Sequence, residues 1–130
     1  MSWQAYVDSS LVGTGTVDKA AIFNAEGTSV WATSAGFQVS PQELKPIVSS
    51  FSDSSEPKAI QGQGFKVAGD KYFTLRSDDR SLYGKKGKEG LVIVKTKQAL
   101  LIGHYPENVQ PGQAATTVEK LADYLIGVGY

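Results

Sequence analysis

Cysteine is absent from this sequence of 130 residues, and histidine occurs only once, at position 104. Without cysteine the chain cannot form disulfides or use a thiolate, and a reducing compartment is its natural environment. A single histidine without cysteine matches no metal site of known ligand spacing. His104 ends an apolar stretch, so we expect it to have a structural or surface role rather than to act as a general base.

Long apolar segments are missing as well. No stretch approaches the ~18 apolar residues that a membrane-spanning helix needs, and no signal peptide is predicted at the start of the chain. Hydrophobic residues make up 41% of the sequence and charged residues 20%, which is typical of a globular protein. We therefore expect one domain over residues 1–130, located in the cytosol.

Sequence motifs for catalysis are also missing. Residues 13–15 and 62–64 each lack the third glycine of a dinucleotide-binding fingerprint, and residues 84–86 lack the rest of a phosphate-binding loop. No serine nucleophile elbow is present. A turn explains the adjacent carboxylates Asp78 and Asp79. We expect no enzyme activity.

Net charge is zero, but the charges are unevenly distributed. Residues 1–65 carry a net charge of −3, residues 66–97 a net charge of +5 and residues 98–130 a net charge of −2. The middle segment is therefore a candidate for contacting an acidic protein face, an anionic lipid headgroup or nucleic acid. The alternative is a solvated strand face with edges protected by lysines. Zero net charge argues against nucleic acid.

Both ends of the sequence predict amphipathic helices that carry aromatic residues. Ser2 can cap the first helix, and the last helix begins after Pro111 and Gly112. The apolar stripes are Trp3, Tyr6, Val7 and Leu11 in the first helix and Val118, Leu121, Ala122 and Leu125 in the last. Tyr124 falls outside its stripe, on the polar side. Because Trp and Tyr favour interfaces, we predict that the two helices lie side by side and present an aromatic surface. The alternative is that these rings seal the core.

A third helix is predicted after residue 40. Ser40 can cap it, Pro41 fits the first helical position and Glu43 completes a capping box. Pro46 removes a backbone hydrogen bond, so a short or kinked helix is expected. Residues 49–58 are predicted to form a polar surface loop.

The rest of the chain predicts an antiparallel sheet. Strands are expected at residues 19–23, 29–32, 64–67, 71–77, 81–84, 91–94 and 99–102. A basic, glycine-rich loop is expected at residues 85–90, and Phe73 and Leu75 should share one face of their strand. The last two strands are continuously apolar, which indicates cover on both faces. Since the links are short, we predict an α+β fold with a central antiparallel sheet, the terminal helices packed together on one face and short helices on the other.

Five segments of the sequence resemble the profilin family, and together they extend over its whole length. They are residues 2–8, 30–32, 75–85, 109–112 and 121–125. The residues in these segments are most similar to those of fungal and amoeboid members. Vertebrate members have histidine at the position of Tyr124; tyrosine keeps a flat ring and a hydroxyl donor, so the role of the position is expected to be unchanged.

The resemblance implies three binding activities and no catalytic site. Profilins bind monomeric actin one to one, through the later strands and the start of the last helix. They bind proline-rich segments, as in formins, between the terminal helices, and phosphatidylinositol 4,5-bisphosphate in competition with actin. They promote nucleotide exchange on actin and deliver subunits to filament ends, in the cytoplasm and cytoskeleton. The alternatives are a regulator that binds phosphoinositide and proline-rich ligands but not actin, and an unrelated small enzyme.

The resemblance also assigns residues to each activity. Polyproline would be bound by Trp3, Tyr6, Trp31, Tyr124, Leu125 and Tyr130. Actin would be bound by Lys71, Arg76, Arg80, Tyr83, Lys85, Gly112, Thr116 and Lys120. Phosphoinositide would be bound by Arg76, Arg80, Lys85 and Lys86. The cationic side chains would pair with carboxylates of actin, and Gly112 would allow close backbone approach. Leu125 is included although its helical angle places it on the core stripe.

Overall fold

The computed structural model describes residues 2–55 and 58–130. Over these residues, seven strands form one sheet in the order β2-β1-β7-β6-β5-β4-β3, and every neighbouring pair is antiparallel. The strands are β1 (Lys19–Asn24), β2 (Val30–Thr33), β3 (Phe65–Val67), β4 (Asp70–Ser77), β5 (Ser81–Lys86), β6 (Glu89–Lys95) and β7 (Ala99–Tyr105). The two apolar runs become β6 and β7 at the middle of the sheet, where all seven residues of β7 are buried.

Helices cover both faces of the sheet. They are α1 (Trp3–Ala5), which continues as a π-helix (Tyr6–Leu11) and a 3₁₀ turn (Val12–Thr14), α2 (Pro41–Phe51), α3 (Ala59–Gln63) and α4 (Pro111–Gly127). The N-terminal helical segment and α4 share one core, which includes Leu11 and Val118. On the opposite face, α2 and α3 bury Leu44, Ile47 and Ile60. The predicted α+β arrangement is confirmed. None of the described helices is long and apolar enough to cross a membrane.

The start of α2 follows its sequence signal. Ser40 accepts a hydrogen bond from the backbone of Glu43, and the Glu43 carboxylate accepts one from the backbone of Ser40, at 2.9 Å. The helix then continues for five residues beyond Pro46, so the expected shortening does not occur. Burial of Ile47 and Phe51 against the sheet offsets the hydrogen bond that proline cannot donate.

Two predicted loops differ in the structure. Residues 85–90 are not a loop, since β5 and β6 pair as far as Lys86 and Glu89 and only two residues make the turn. Gly87 there has φ +62°, which two-residue hairpin turns favour. The predicted surface loop at 49–58 is shorter than expected because α2 extends to Phe51, and α3 begins at Ala59. Residues 56 and 57 of this loop lie outside the described residues.

Strand β4 contains an irregularity that changes which side chains face out. Thr74 pairs with Gly84 and Arg76 with Tyr83, so Leu75 is the extra residue of a bulge. Phe73 and Leu75 are 71% and 58% exposed. The two apolar residues of this strand therefore face solvent.

Candidate functional site

Five aromatic side chains from separate parts of the chain meet at one place on the surface. Trp3 lies at the centre, with its ring centroid 4.6 Å from Trp31 and 5.1 Å from Tyr130. On the other side of Trp3, the Tyr6 centroid lies 5.6 Å away, and Tyr124 follows at 6.3 Å from Tyr6. We call these five residues the aromatic surface.

The aromatic surface is open to solvent. Tyr124 and Tyr130 are 55% and 41% exposed, while Trp3, Tyr6 and Trp31 are half-buried and pack on the core beneath them. The alternative that these rings seal the core therefore does not hold. Burial and a side-chain hydrogen bond with Tyr124 raise the pKa of Tyr6 above its ordinary value. The hydroxyl thus remains protonated at neutral pH and can donate a hydrogen bond.

Local hydrogen bonds fix the aromatic surface at its N-terminal side. Ser2 accepts a backbone hydrogen bond at 3.2 Å and so begins α1, as its sequence position predicts. The Gln4 amide donates to the backbone oxygen of Thr33 at 3.0 Å. This bond connects α1 to the edge strand β2, which carries Trp31. Trp3 and Trp31 are therefore held together by this side-chain-to-backbone hydrogen bond between their elements as well as by ring contact.

Leu125 does not belong to the aromatic surface. It is 1% exposed and lies in the core formed with the sheet and the N-terminal segment. Its contact with polyproline stays a prediction, because the core stripe of α4 points away from solvent and leaves little of this side chain accessible. Leu125 supports the rings from beneath.

A second candidate surface is formed by exposed side chains of β4 and β5. We call it the cationic surface, and it comprises Lys71, Phe73, Leu75, Arg76 and Lys85. Arg76 donates to Asp78 at 3.0 Å, and its guanidinium lies 5.5 Å from the centre of the Tyr83 ring. The two apolar residues were not among the predicted contacts. Exposed apolar side chains between cations are typical of a protein-binding surface.

The Asp78 carboxylate orders the turn at the edge of the cationic surface. Partial burial acts to raise its pKa, but hydrogen bonds from the backbone of Ser81 and Arg80, together with Arg76, outweigh burial and hold the pKa below its ordinary value. Asp78 therefore stays charged at neutral pH. Its charge keeps the exposed Arg76 guanidinium in one position.

Helix α4 connects the two surfaces. Gly112, Thr116, Lys120 and Tyr124 recur at four-residue intervals and are all exposed, so they form one row along the helix. Thr116 donates its hydroxyl to the backbone oxygen of Gly112 at 2.8 Å. No atom lies within 4 Å of the position that a Cβ would take at Gly112, which leaves the backbone there open to close approach.

Arg80 and Tyr83 have intramolecular partners on α4. Arg80 donates two hydrogen bonds to the Glu119 carboxylate, at 3.1 and 2.9 Å, and one to Asp123 at 2.8 Å. Tyr83 donates its hydroxyl to Glu119. Burial and this hydrogen bond raise the pKa of Tyr83 to about 12. Arg80 is thereby paired within the molecule and holds α4 on the sheet, and its contact with actin or phosphate stays a prediction. The sequence gives no local signal for this pairing across 39 residues.

His104 has a structural position. It is 5% exposed, and its Nε2 lies 2.9 Å from a Glu89 oxygen while its Nδ1 contacts Asp18. These contacts join the ends of β1, β6 and β7. The expectation of a structural role is confirmed.

Comparison with known proteins identifies the family. The profilin family model matches residues 1–130. The chain is 55% identical to a profilin of Schizosaccharomyces pombe and 56% identical to profilin-2 of Acanthamoeba castellanii, with full coverage of both chains in each case. The chain belongs to the profilin family. A crystal structure of the S. pombe profilin superposes with a TM-score of 0.93 at 54% identity, covering 99% of this chain and 100% of that one.

The resemblance drawn from the sequence is therefore confirmed, including its fungal and amoeboid character. Both relatives match this chain over their entire length. Profilins are actin-binding regulators, and the predicted class of function is confirmed with the family.

Proposed function

We propose that this member of the family binds monomeric actin one to one through the cationic surface and proline-rich segments through the aromatic surface. By doing both it regulates actin polymerisation in the cytoplasm, without a catalytic site of its own. The whole chain, residues 1–130, acts as one domain. The observation that carries the proposal is the convergence of Trp31, Trp3, Tyr6, Tyr124 and Tyr130 on one solvent-exposed surface.

The aromatic surface suits a polyproline II helix. Such a helix has no internal hydrogen bonds, so its carbonyl oxygens remain free acceptors, and its stiffness lowers the entropy lost on binding. Indole N–H groups of Trp3 and Trp31 and hydroxyl groups of the tyrosines are donors. Flat rings provide the apolar contact that proline requires. A mouse profilin IIa with the same fold, 22% identical, has been solved in complex with a double repeat from the FH1 domain of mDia1.

The cationic surface suits an acidic protein face. Lys71, Arg76 and Lys85 are exposed and can pair with carboxylates. Phe73 and Leu75 would be removed from water in the complex. We extend the surface along α4 to Gly112, Thr116 and Lys120, and we include the Tyr83 ring beneath the Arg76 guanidinium.

Phosphoinositide is proposed to bind near the same surface, through Arg76, Arg80, Lys85 and Lys86. Clustered cations attract anionic headgroups. Lys85 is exposed at the end of β5, and Lys86 forms an exposed ion pair with Asp70 at 3.0 Å, which is weak enough to exchange for a phosphate. Overlap with the actin contacts would make the two ligands compete.

Two reciprocal variants test the main proposal. Trp3→Ala removes the central ring, so we expect proline-decamer affinity to fall by at least about tenfold, as for a central interface aromatic. Trp31 remains as the fluorescent reporter for the titration. Polymerisation of pyrene-labelled actin should respond to this variant as it does to the wild type.

Arg76→Glu is the matched counterpart. Charge reversal should weaken inhibition of actin polymerisation by about tenfold or more, while decamer affinity is unchanged.

Unchanged decamer affinity in a folded Trp3→Ala protein would refute the aromatic site. A wild-type protein that leaves actin assembly unchanged would favour the alternative, a phosphoinositide and proline-rich-ligand regulator without actin binding.

A further inference from the structure

Thr96 is a buried polar residue in the turn between β6 and β7. It is 5% exposed, and its hydroxyl accepts a hydrogen bond from the backbone of Ala99 at 2.9 Å. The same hydroxyl donates to the backbone oxygen of Tyr130 at 2.7 Å. The first bond closes the turn. The second reaches a residue 34 positions away and has no role in the hairpin.

The same turn makes two more bonds to the last residues. The backbone N–H of Gln98 donates to the Tyr130 oxygen, and the Gln98 side-chain amide donates to the backbone oxygen of Gly129 at 2.8 Å. The turn therefore holds two consecutive backbone oxygens. Terminal residues without such bonds fray.

The end of α4 brings Tyr130 to this turn. Gly129 has φ +97°, and the backbone N–H of Tyr130 donates to the Leu125 oxygen at 2.8 Å. Together with the bond from Gly129 to Ile126 at 3.2 Å, this is a Schellman motif, which glycine favours at the left-handed position. The motif reverses the chain direction, and the turn then fixes the final peptide.

We propose that Thr96 is a positioning residue for the aromatic surface, because it holds the backbone of Tyr130 where the ring meets Trp3. The two rings are 5.1 Å apart and nearly perpendicular, at 86°. Tyr130 is 41% exposed, so core packing alone does not fix its ring. A ring that is ordered before the ligand arrives loses less entropy on binding. This inference rests on the proposed binding of proline-rich segments at the aromatic surface.

Thr96→Val tests the inference, since it keeps the shape and removes the hydroxyl. We expect cross-peaks between the Trp3 indole and the Tyr130 ring in NOE spectra to weaken or disappear. Affinity for a proline decamer should fall by about three- to tenfold, the equivalent of one hydrogen bond. Thr96→Ser keeps the hydroxyl and should bind as the wild type does. Thr74→Val is the matched control, because it removes a 2.6 Å hydrogen bond to Ile60 on the other face of the sheet; its decamer affinity should be unchanged.

A double variant separates positioning from general destabilisation. If Thr96 acts through Tyr130, then Thr96→Val should add no further loss in a Tyr130→Ala background. An equal loss in both backgrounds, or unchanged NOEs in folded Thr96→Val, would overturn the inference. A wild-type protein that does not bind the decamer would instead refute the proposed function, and the NOE comparison would still decide whether Thr96 holds Tyr130.

Discussion

Glu119 is the residue whose removal should most weaken the attachment of α4 to the sheet. Its carboxylate accepts four side-chain hydrogen bonds, two from Arg80, one from Ser81 at 2.7 Å and one from Tyr83. In Glu119→Ala, the hydroxyl of Ser81, a residue only 3% exposed, loses its acceptor, which costs about 1–3 kcal/mol. The Arg80–Glu119 ion pair is partly exposed, with side-chain exposures of 35% and 23%. Its loss therefore adds no more than about 1 kcal/mol to the cost of the substitution.

The expected total is a loss of about 1–4 kcal/mol in the free energy of unfolding. With an unfolding entropy of about 2.1 cal/mol/K per residue, this corresponds to a fall in Tm of roughly 4–15 °C for a chain of this length. Urea unfolding and calorimetry measure both quantities. Asp123→Ala is the control, since it removes one Arg80 partner that is 67% exposed and should change stability by less than about 1 kcal/mol. A Glu119→Ala protein no less stable than this control would show that the network does not hold α4.

Two further predictions concern pH and lipid. Burial and the Glu119 carboxylate raise the pKa of Tyr83 to about 12. The contribution of Tyr83 to stability is therefore fully present below about pH 10 and is lost as the pH rises towards 12. Tyr83→Phe should flatten this alkaline decline in urea unfolding, and an unaltered pH profile would contradict the assignment. Replacing Lys85 and Lys86 by alanine should reduce co-sedimentation with vesicles that contain phosphatidylinositol 4,5-bisphosphate. Salt-insensitive vesicle binding by the wild type would exclude an electrostatic basis.

The aromatic surface was predictable because its signals are local. Stripe positions placed Trp3 and Tyr6 on one helix, and the angle of Tyr124 placed it outside the core stripe of another. The same angle placed Leu125 on the core stripe, where it is buried; its inclusion among the polyproline contacts came from the resemblance and stays a prediction.

The π-helical geometry of the N-terminal segment was not predictable from periodicity. A helical wheel assumes 3.6 residues per turn, but Val12 donates its backbone hydrogen bond to Val7, five residues before it. The one sequence signal for this geometry is Gly13. A Cβ at that position would lie 2.8 Å from the backbone oxygen of Asp8, so the segment requires a glycine there. The β4 bulge and the Arg80–Glu119 pairing also depend on long-range contacts, which no window of sequence contains.

The strand order affects when, during synthesis, the protein becomes able to bind a proline-rich partner at the aromatic surface. Strand β1 pairs with β7, which is synthesised about eighty residues later. Pairings between such distant segments form slowly. The aromatic surface is completed later still, by Tyr130 beside Trp3. A chain in which Tyr130 has not yet docked therefore lacks the complete surface, and full-strength capture by a proline-rich partner would report that Tyr130 had reached its place beside Trp3.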